Sequence, residues 1–269
     1  MNLKASLFFL LLVFVVCQSS LAQISPPGVD GAKIVGWGAV GISQQLTKKF
    51  SVTVYAGGSR QSDPDNLNPV RKASIFVINQ ETLYSFNTHW QLALCTSVRI
   101  QDLYADDEPY ALDNPGIRDE LRYYARLYYK RQGKKIQWTY SFRPEFRTFY
   151  TKDWREWSTP LEIRLRLKGQ ANIPLNKSKS NQLILANEVL SAIDHYQRAT
   201  EAHDEWSSYH FTEDRFSNYF RHAFKKPSII VDAGLMHQFL IDKRNSDVHY
   251  TLYLAFDVLI QNPFGRLKE

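Results

Sequence analysis

The chain has 269 residues, with 33 Lys and Arg against 27 Asp and Glu, a net charge of +6, and an aromatic set of 16 Phe, 15 Tyr and 6 Trp. Its length suits one large β domain or two smaller ones. Negative mean hydropathy, with no run of eighteen apolar residues beyond the first segment, excludes a helical membrane protein but not a membrane barrel, whose strands hide apolarity by alternation.

The chain opens MNLKASLFFLLLVFVVCQSSLAQ. Lys4 supplies a positive n-region, Leu7–Val16 an apolar h-region, and Leu21-Ala22 ends a small-residue c-region, the pattern of a secretory signal peptide over residues 1–22 cleaved after Ala22. Cys17 follows Phe14-Val15-Val16, which are too bulky for a lipobox. After cleavage one cysteine remains, Cys95, so no intrachain disulfide forms. Export argues against nucleic acid as the partner of the basic excess. Residues 23–32, with Pro-Pro and two glycines, read as an N-terminal linker, and residues 33–269 as a single β-barrel domain.

Eleven strands are legible in chain order. Lys33–Ile42 and Phe50–Ala56 form a Gly-rich pair. Ala73–Gln80 is weaker, and Phe86–Gln101 sets Phe86, Trp90, Leu92, Leu94, Val98 and Ile100 against Gln91, Cys95, Ser97, Arg99 and Gln101. Arg118–Lys130 and Lys135–Tyr150 flank the tight turn Gln132-Gly133-Lys134, a hairpin signal. Pro144 marks a bulge there or a site beyond the ladder. Leu161–Leu167 reads LEIRLRL, apolar at every odd position and charged at every even one. Gln182–Ala192 follows, with a competing helical reading of Ala186–Ala199. Phe211–His222, Ser228–Leu240 and Val248–Gln261 complete the set.

Most of these segments reach the 9–11 residues that a membrane strand needs. Short connections alternate with longer ones, the rule of short periplasmic turns and long outer loops. The fold class is therefore all-β, an antiparallel transmembrane β-barrel. An odd count leaves the N-terminus outside, so twelve strands are expected, either because residues 23–42 hold two short strands or because a boundary is misplaced; ten is the alternative. Alternation alone does not say which face is inside, since a soluble barrel puts its apolar face inward. Strand length, loop alternation and aromatic-rich strand ends favour the membrane.

Several segments carry a resemblance: Trp37 in a Gly-rich strand, Asn87–Arg99 (NTHWQLALCTSVR), Arg164–Asn176 (RLRLKGQANIPLN), Ala186–Leu190 (ANEVL), Glu213–Phe220 (EDRFSNYF) and Asp232–Phe239 (DAGLMHQF). In their order the chain resembles the uncharacterised outer-membrane barrels of Bacteroidetes-type bacteria classed as a domain of unknown function. The resemblance implies an outer-membrane barrel in a Gram-negative cell and carries no activity.

Candidate chemistry lies on the lumenal face. One wall would carry Arg122, Arg126, Lys130, Lys135, Arg143, Arg147, Arg164, Arg166 and Lys168, with Glu120, Glu145 and Glu162. Facing strands would add Glu188, Glu213, Asp232 and Asp257, with Arg215 and Arg221. Two readings follow. Buried charges must pair, so the set makes a rigid internal network; or rings of Arg and Lys select anions in a small porin-like pore. A lipid-modifying hydrolase would need a nucleophile and base; His89 (beside Asn87 and Gln91) and His249 (beside Thr251) are the available histidines, but no G-x-S-x-G motif occurs. A soluble periplasmic barrel binding an apolar ligand is the third class. His195, His203, Asp204 and His210 match no standard metal-ligand spacing. The expected partners are outer-membrane lipid and, during insertion, the barrel-assembly machinery; no cofactor and no metal are expected.

Overall fold

The computed structural model describes residues 26–197, 204–241 and 247–265. The expected signal peptide, Cys17 and His203 lie outside the described residues. Twelve strands follow in chain order: β1 (Ile34–Gln45), β2 (Phe50–Gln61), β3 (Lys72–Ser85), β4 (Trp90–Tyr104), β5 (Leu112–Gln132), β6 (Gln137–Thr151), β7 (Glu156–Pro174), β8 (Asn181–Gln197), β9 (Asp204–Trp206), β10 (His210–Phe224), β11 (Ile229–Ile241) and β12 (Val248–Gln261). No helix interrupts them among the described residues.

Eleven strands close the wall. Sheet order runs β10-β11-β12-β1 and on through β8, and β8 pairs back onto β10. The three-residue β9 sits outside the wall, pairing with β8 from His195↔Trp206 to Gln197↔Asp204. Each neighbouring pair in the wall is antiparallel except one. Strands β1 and β12 run parallel, from Ile34↔Leu252 to Ser43↔Gln261. That parallel seam is how an odd wall closes. The twelfth strand is thus β9, and no second strand precedes β2: residues 26–33 hold none.

The helical reading of Ala186–Ala199 is overturned, since β8 runs through Gln197. Ile184, Ala186, Glu188, Leu190, Ala192 and Asp194 are all buried at every second position, and ladders on both sides, to β7 and β10, fix the extended backbone. Pro144 makes no bulge. Pairing of β5 with β6 skips from Tyr124↔Glu145 to Leu127↔Phe142 in unchanged register, while Pro144 still faces Leu165 on β7. A residue without an N–H interrupts one ladder and leaves the other intact.

At one end of the barrel the connections are the short turns 46–49, 86–89, 133–136, 175–180 and 225–228. The opposite end carries 62–71, 105–111, 152–155, the β8–β10 connection with β9, and 242–247. The connection after β6, expected to be long, has only four residues, because β7 begins at Glu156 and absorbs the rest.

In the loop 62–71, Asp63 is buried, with Lys72 Nζ at 2.8 Å, Arg71 in ion-pair contact and Asn66 Nδ2 donating at 3.0 Å. Burial pushes this carboxyl up; the Lys72, Asn66 and Arg71 partners outweigh it and hold the group below the usual carboxylate range. A carboxyl with a depressed folded-state pKa contributes stability that is fully present above the unfolded value, about 3.9, and lost as pH falls through the folded value. The loop is therefore expected to resist pepsin at about pH 5 and to become cleavable only below about pH 4. Asp63→Asn should be cleaved at both; equal cleavage of the two chains would refute the assignment.

Wall polarity is read directly from burial. Val54, Ile78, Leu94, Val98, Phe142, Phe146, Leu167, Leu254 and Phe256 are exposed on the outside. Arg99, Glu120, Arg122, Glu145, Arg147, Arg166, Arg215 and Asp257 are buried inside. In LEIRLRL, Ile163 and Leu167 face out while Glu162 and Arg166 are buried. Close backbone approach also shapes the wall. The Trp37 indole fills the space where a Cβ on Gly57 would stand, 2.6 Å from ring carbons.

Candidate functional site

Lumenal side chains come from every second residue of the long strands, so a pairing ladder places charges of neighbouring strands side by side. In register, Arg122 faces Arg147 across β5–β6, Arg147 faces Glu162 and Glu145 faces Arg164 across β6–β7, and Lys168 faces Glu188 across β7–β8. Like pairs (Arg122–Arg147, Arg143–Arg166) stand beside unlike ones, and the guanidinium groups reach carboxylates on neighbouring rows.

Two carboxylates act as hubs. Glu120 accepts from Arg147 Nε and Nη2, both at 2.8 Å, a bidentate pair, and from Arg122 Nη2 at 2.6 Å. Glu145 meets Arg143 Nε at 2.5 Å, Arg166 Nε at 2.8 Å and Arg122 Nε at 3.9 Å. Glu162 joins Arg147 to Arg164, whose Nε is at 2.6 Å. Arg164 reaches across to Glu213 at 3.2 Å, and Arg166 and Arg215 both approach Glu188 at 3.6 Å. One connected network thus runs from β5 to β10. Arg126 lies apart from it, donating to Tyr128 Oη at 2.6 Å with Glu81 at 3.5 Å. Asp232 takes Arg221 Nε and Nη2 at 2.7 and 2.6 Å. Asp257, its register partner on β12, accepts from Trp37 Nε1 at 2.9 Å.

Of the residues expected on the basic wall, Lys135 is not lumenal. It stands exposed in the turn 133–136, because β6 begins only at Gln137. Several lumenal residues lay beyond the candidate set: Glu81, Gln238, Trp37, Tyr124 and Tyr128. Tyr124 and Tyr128 share the even parity of Arg122 and Arg126, and that parity was the available signal. Arg143 lies 3.6 Å from the Tyr124 ring centroid, a cation–π contact. Cys95 is buried between these rings and Glu81, with Sγ 3.4 Å from Glu81 Oε2.

Residues 26–32, expected as a linker, run inside the lumen near the end with the longer loops. Arg215 Nη1 donates to the Pro26 carbonyl at 3.1 Å and Arg99 Nη2 to that of Gly28 at 3.0 Å. Val29 N donates to Gln238 Oε1 at 3.2 Å, and Thr251 Oγ1 to the Ala32 carbonyl at 2.8 Å. Val29 and Ala32 pack with Val35, Ile75, Met236 and Tyr253. At Gly28 a Cβ would meet the side-chain tips Arg215 Nη2 at 2.6 Å and Glu213 Oε2 at 2.7 Å, so a larger residue would push those tips aside. Residues 26–32 thus occupy part of the lumen at this level.

The histidines offered as general bases are engaged at the two ends of the barrel, apart from the charge network. His89 sits in the turn 86–89 with Nδ1 2.9 Å from the Lys130 carbonyl oxygen, and exposed His249 Nδ1 lies 3.0 Å from Asp30. His195 is in tilted ring contact with Trp206 at 4.8 Å, while His210 approaches Asp194 at 3.5 Å, so the two histidines make separate contacts. Among the described residues no group of three potential ligands gathers for a metal.

With this geometry in place, a family model described as a protein of unknown function, DUF2490, matches residues 35–249. The chain belongs to that family. The match begins one residue into β1 and ends two residues into β12, so it takes in the wall from β1 through β11 and leaves out most of the closing strand. No curated protein matches the chain. The family carries no assigned activity; the β-barrel is given by the strands of this chain.

Proposed function

We propose that this member of DUF2490 is an outer-membrane β-barrel with a sealed lumen, exported by its signal peptide, inserted by the barrel-assembly machinery, and acting as a structural element of the membrane with no open pore. The observation that carries this reading is the inversion of its faces: apolar side chains outside, charged side chains buried inside. Water outside would penalise so much exposed apolar surface, whereas lipid would not.

Aromatic side chains support it. At the short-turn end, Phe50, Tyr84 and Phe86 are in ring contact at 4.7 and 5.0 Å, and Trp90, Tyr129, Tyr140 and Trp138 continue the arc at 4.8, 6.4 and 6.4 Å. Phe239, Tyr250 and His237 make a second arc toward the opposite end. Along β4, Trp90 and Ile100 are both outward, a strand length of roughly 33 Å. Tilted as barrel strands are, that spans about the 25 Å apolar band of an outer membrane.

The paired network and the inserted N-terminal segment speak against the pore. In planar bilayers the refolded full chain is expected to show no current steps while migrating as a heat-modifiable band from vesicles. Anion-selective current would replace this reading with the basic-pore one. A soluble chain without heat modification would overturn the membrane assignment.

A further inference from the structure

The two ends of the barrel carry opposite charge. Four of the five short turns each hold a lysine pair: Lys48-Lys49, Lys134-Lys135, Lys177 with Lys179, and Lys225-Lys226. All eight are exposed. The fifth turn, Phe86–His89, is neutral, and none of the five contains Asp or Glu. At the other end, the connections 62–71, 105–111 and 152–155 hold Asp63, Asp65, Asp106, Asp107, Glu108 and Asp153 against Arg71, Lys152 and Arg155, a net negative charge. These lysines stand exposed at the rim.

Each lysine pair also has an exposed apolar neighbour a few residues away. Phe50 follows Lys49, Trp138 follows Lys135, Leu175 precedes Lys177, and Phe224 precedes Lys225. These neighbours belong to the aromatic arc or extend it around the rim. An apolar side chain at the acyl boundary, with an ammonium one step beyond it, matches the layering of an anionic lipid leaflet.

We infer that the short-turn rim is a docking surface for anionic glycerophospholipid headgroups, such as those of phosphatidylglycerol. This rests on the membrane reading above. The occupant follows from charge complementarity around a ring and from continuity with the aromatic arc. A lipid leaflet is the partner that presents phosphates around the full circumference, at the depth just beyond the acyl chains. Point-like ammonium groups on flexible stems fit diffuse phosphates better than a bidentate partner would. The acidic rim opposite lacks this complementarity, so the barrel carries its own sense of orientation.

The test uses tryptophan quenching by brominated lipids. In full-length chain bearing Trp154→Phe, Trp157→Phe and Trp206→Phe, the lipid-facing reporters are Trp90 and Trp138 at the basic rim. In vesicles mixing phosphatidylglycerol and phosphatidylcholine, the anionic lipid is expected to be preferred by about fivefold at low salt, the effect of one lysine near the surface. The preference should shrink toward one in 0.5 M NaCl, which screens surface charge. Replacing the eight lysines by glutamine should abolish it, and these solvated turn positions leave the wall untouched. A converse chain with Trp90→Phe and Trp138→Phe should report no preference at the acidic end. A folded, heat-modifiable barrel without preference at Trp90 and Trp138 overturns the inference and spares the membrane reading. Preference that survives in the glutamine chain also overturns it. A chain that enters neither lipid overturns both.

Discussion

Glu145→Ala should lower the unfolding free energy of the barrel by about 3–5 kcal/mol, the cost of breaking a buried charge group by removing one partner. The Glu145 side chain has no solvent exposure and neutralises Arg143 and Arg166, with Arg122 at the edge of contact. Without it, three buried guanidinium groups lose the carboxylate they share. Urea unfolding in vesicles, followed by tryptophan fluorescence, measures the loss. Adding Arg166→Met should recover part of it by removing one stranded charge, since apolar replacement of a buried ionic group is often neutral. A loss below about 1 kcal/mol would mean a hydrated, charge-tolerant interior, and with it the end of the sealed-lumen reading.

Gly234→Ala is expected to be of similar size for a different reason. Gly234 lies on β11 opposite Tyr219 on β10. A Cβ there would overlap the Asn218 carbonyl and stand 2.6 Å from Tyr219 Cα. Both obstacles are backbone, so no rotamer relieves them and the two strands must part. The cost should reach or exceed the upper end of the roughly 1–3 kcal/mol range for overpacking. Gly38→Ala is the matched comparison, because its Cβ would meet only the Phe256 carbonyl, at 3.8 Å. The heat-modifiable fraction after refolding should fall for Gly234→Ala and stay near wild type for Gly38→Ala. Equal fractions would show that the β10–β11 approach is looser than described.

Strand positions were legible because a period of two survives any tertiary context. In LEIRLRL the parity of Leu161–Leu167 gives the strand and its two faces at once, and burial then says which face is inward. Closure was not legible. Whether β12 meets β1 parallel or through an extra strand depends on which edges come together, and no local pattern records that. The segment 26–32 escaped for a related reason. Its composition is that of a linker, but Pro26 and Gly28 are held through main-chain carbonyls by Arg99 and Arg215, and a backbone acceptor has no residue signature. Lys135 failed by one boundary: the parity was extended two residues beyond the start of β6. Glu81 failed by the opposite error, since β3 continues to Ser85 past the expected end at Gln80.

The parallel seam has a consequence for how this chain can be re-cut. In an even barrel the first and last strands are antiparallel, so the chain ends meet at one rim and a short turn can join them. Here β12 finishes beside Ser43, nine residues down the wall from the start of β1 at Ile34. A joining segment would have to climb roughly 30 Å. Outside the wall, in the membrane proposed above, it would drag unpaired amides through hydrocarbon. Inside, it would have to thread a lumen that the arginine network and residues 26–32 already occupy in part. Circular permutation by a short linker is therefore closed to this barrel: the order in which its strands are written is part of its architecture.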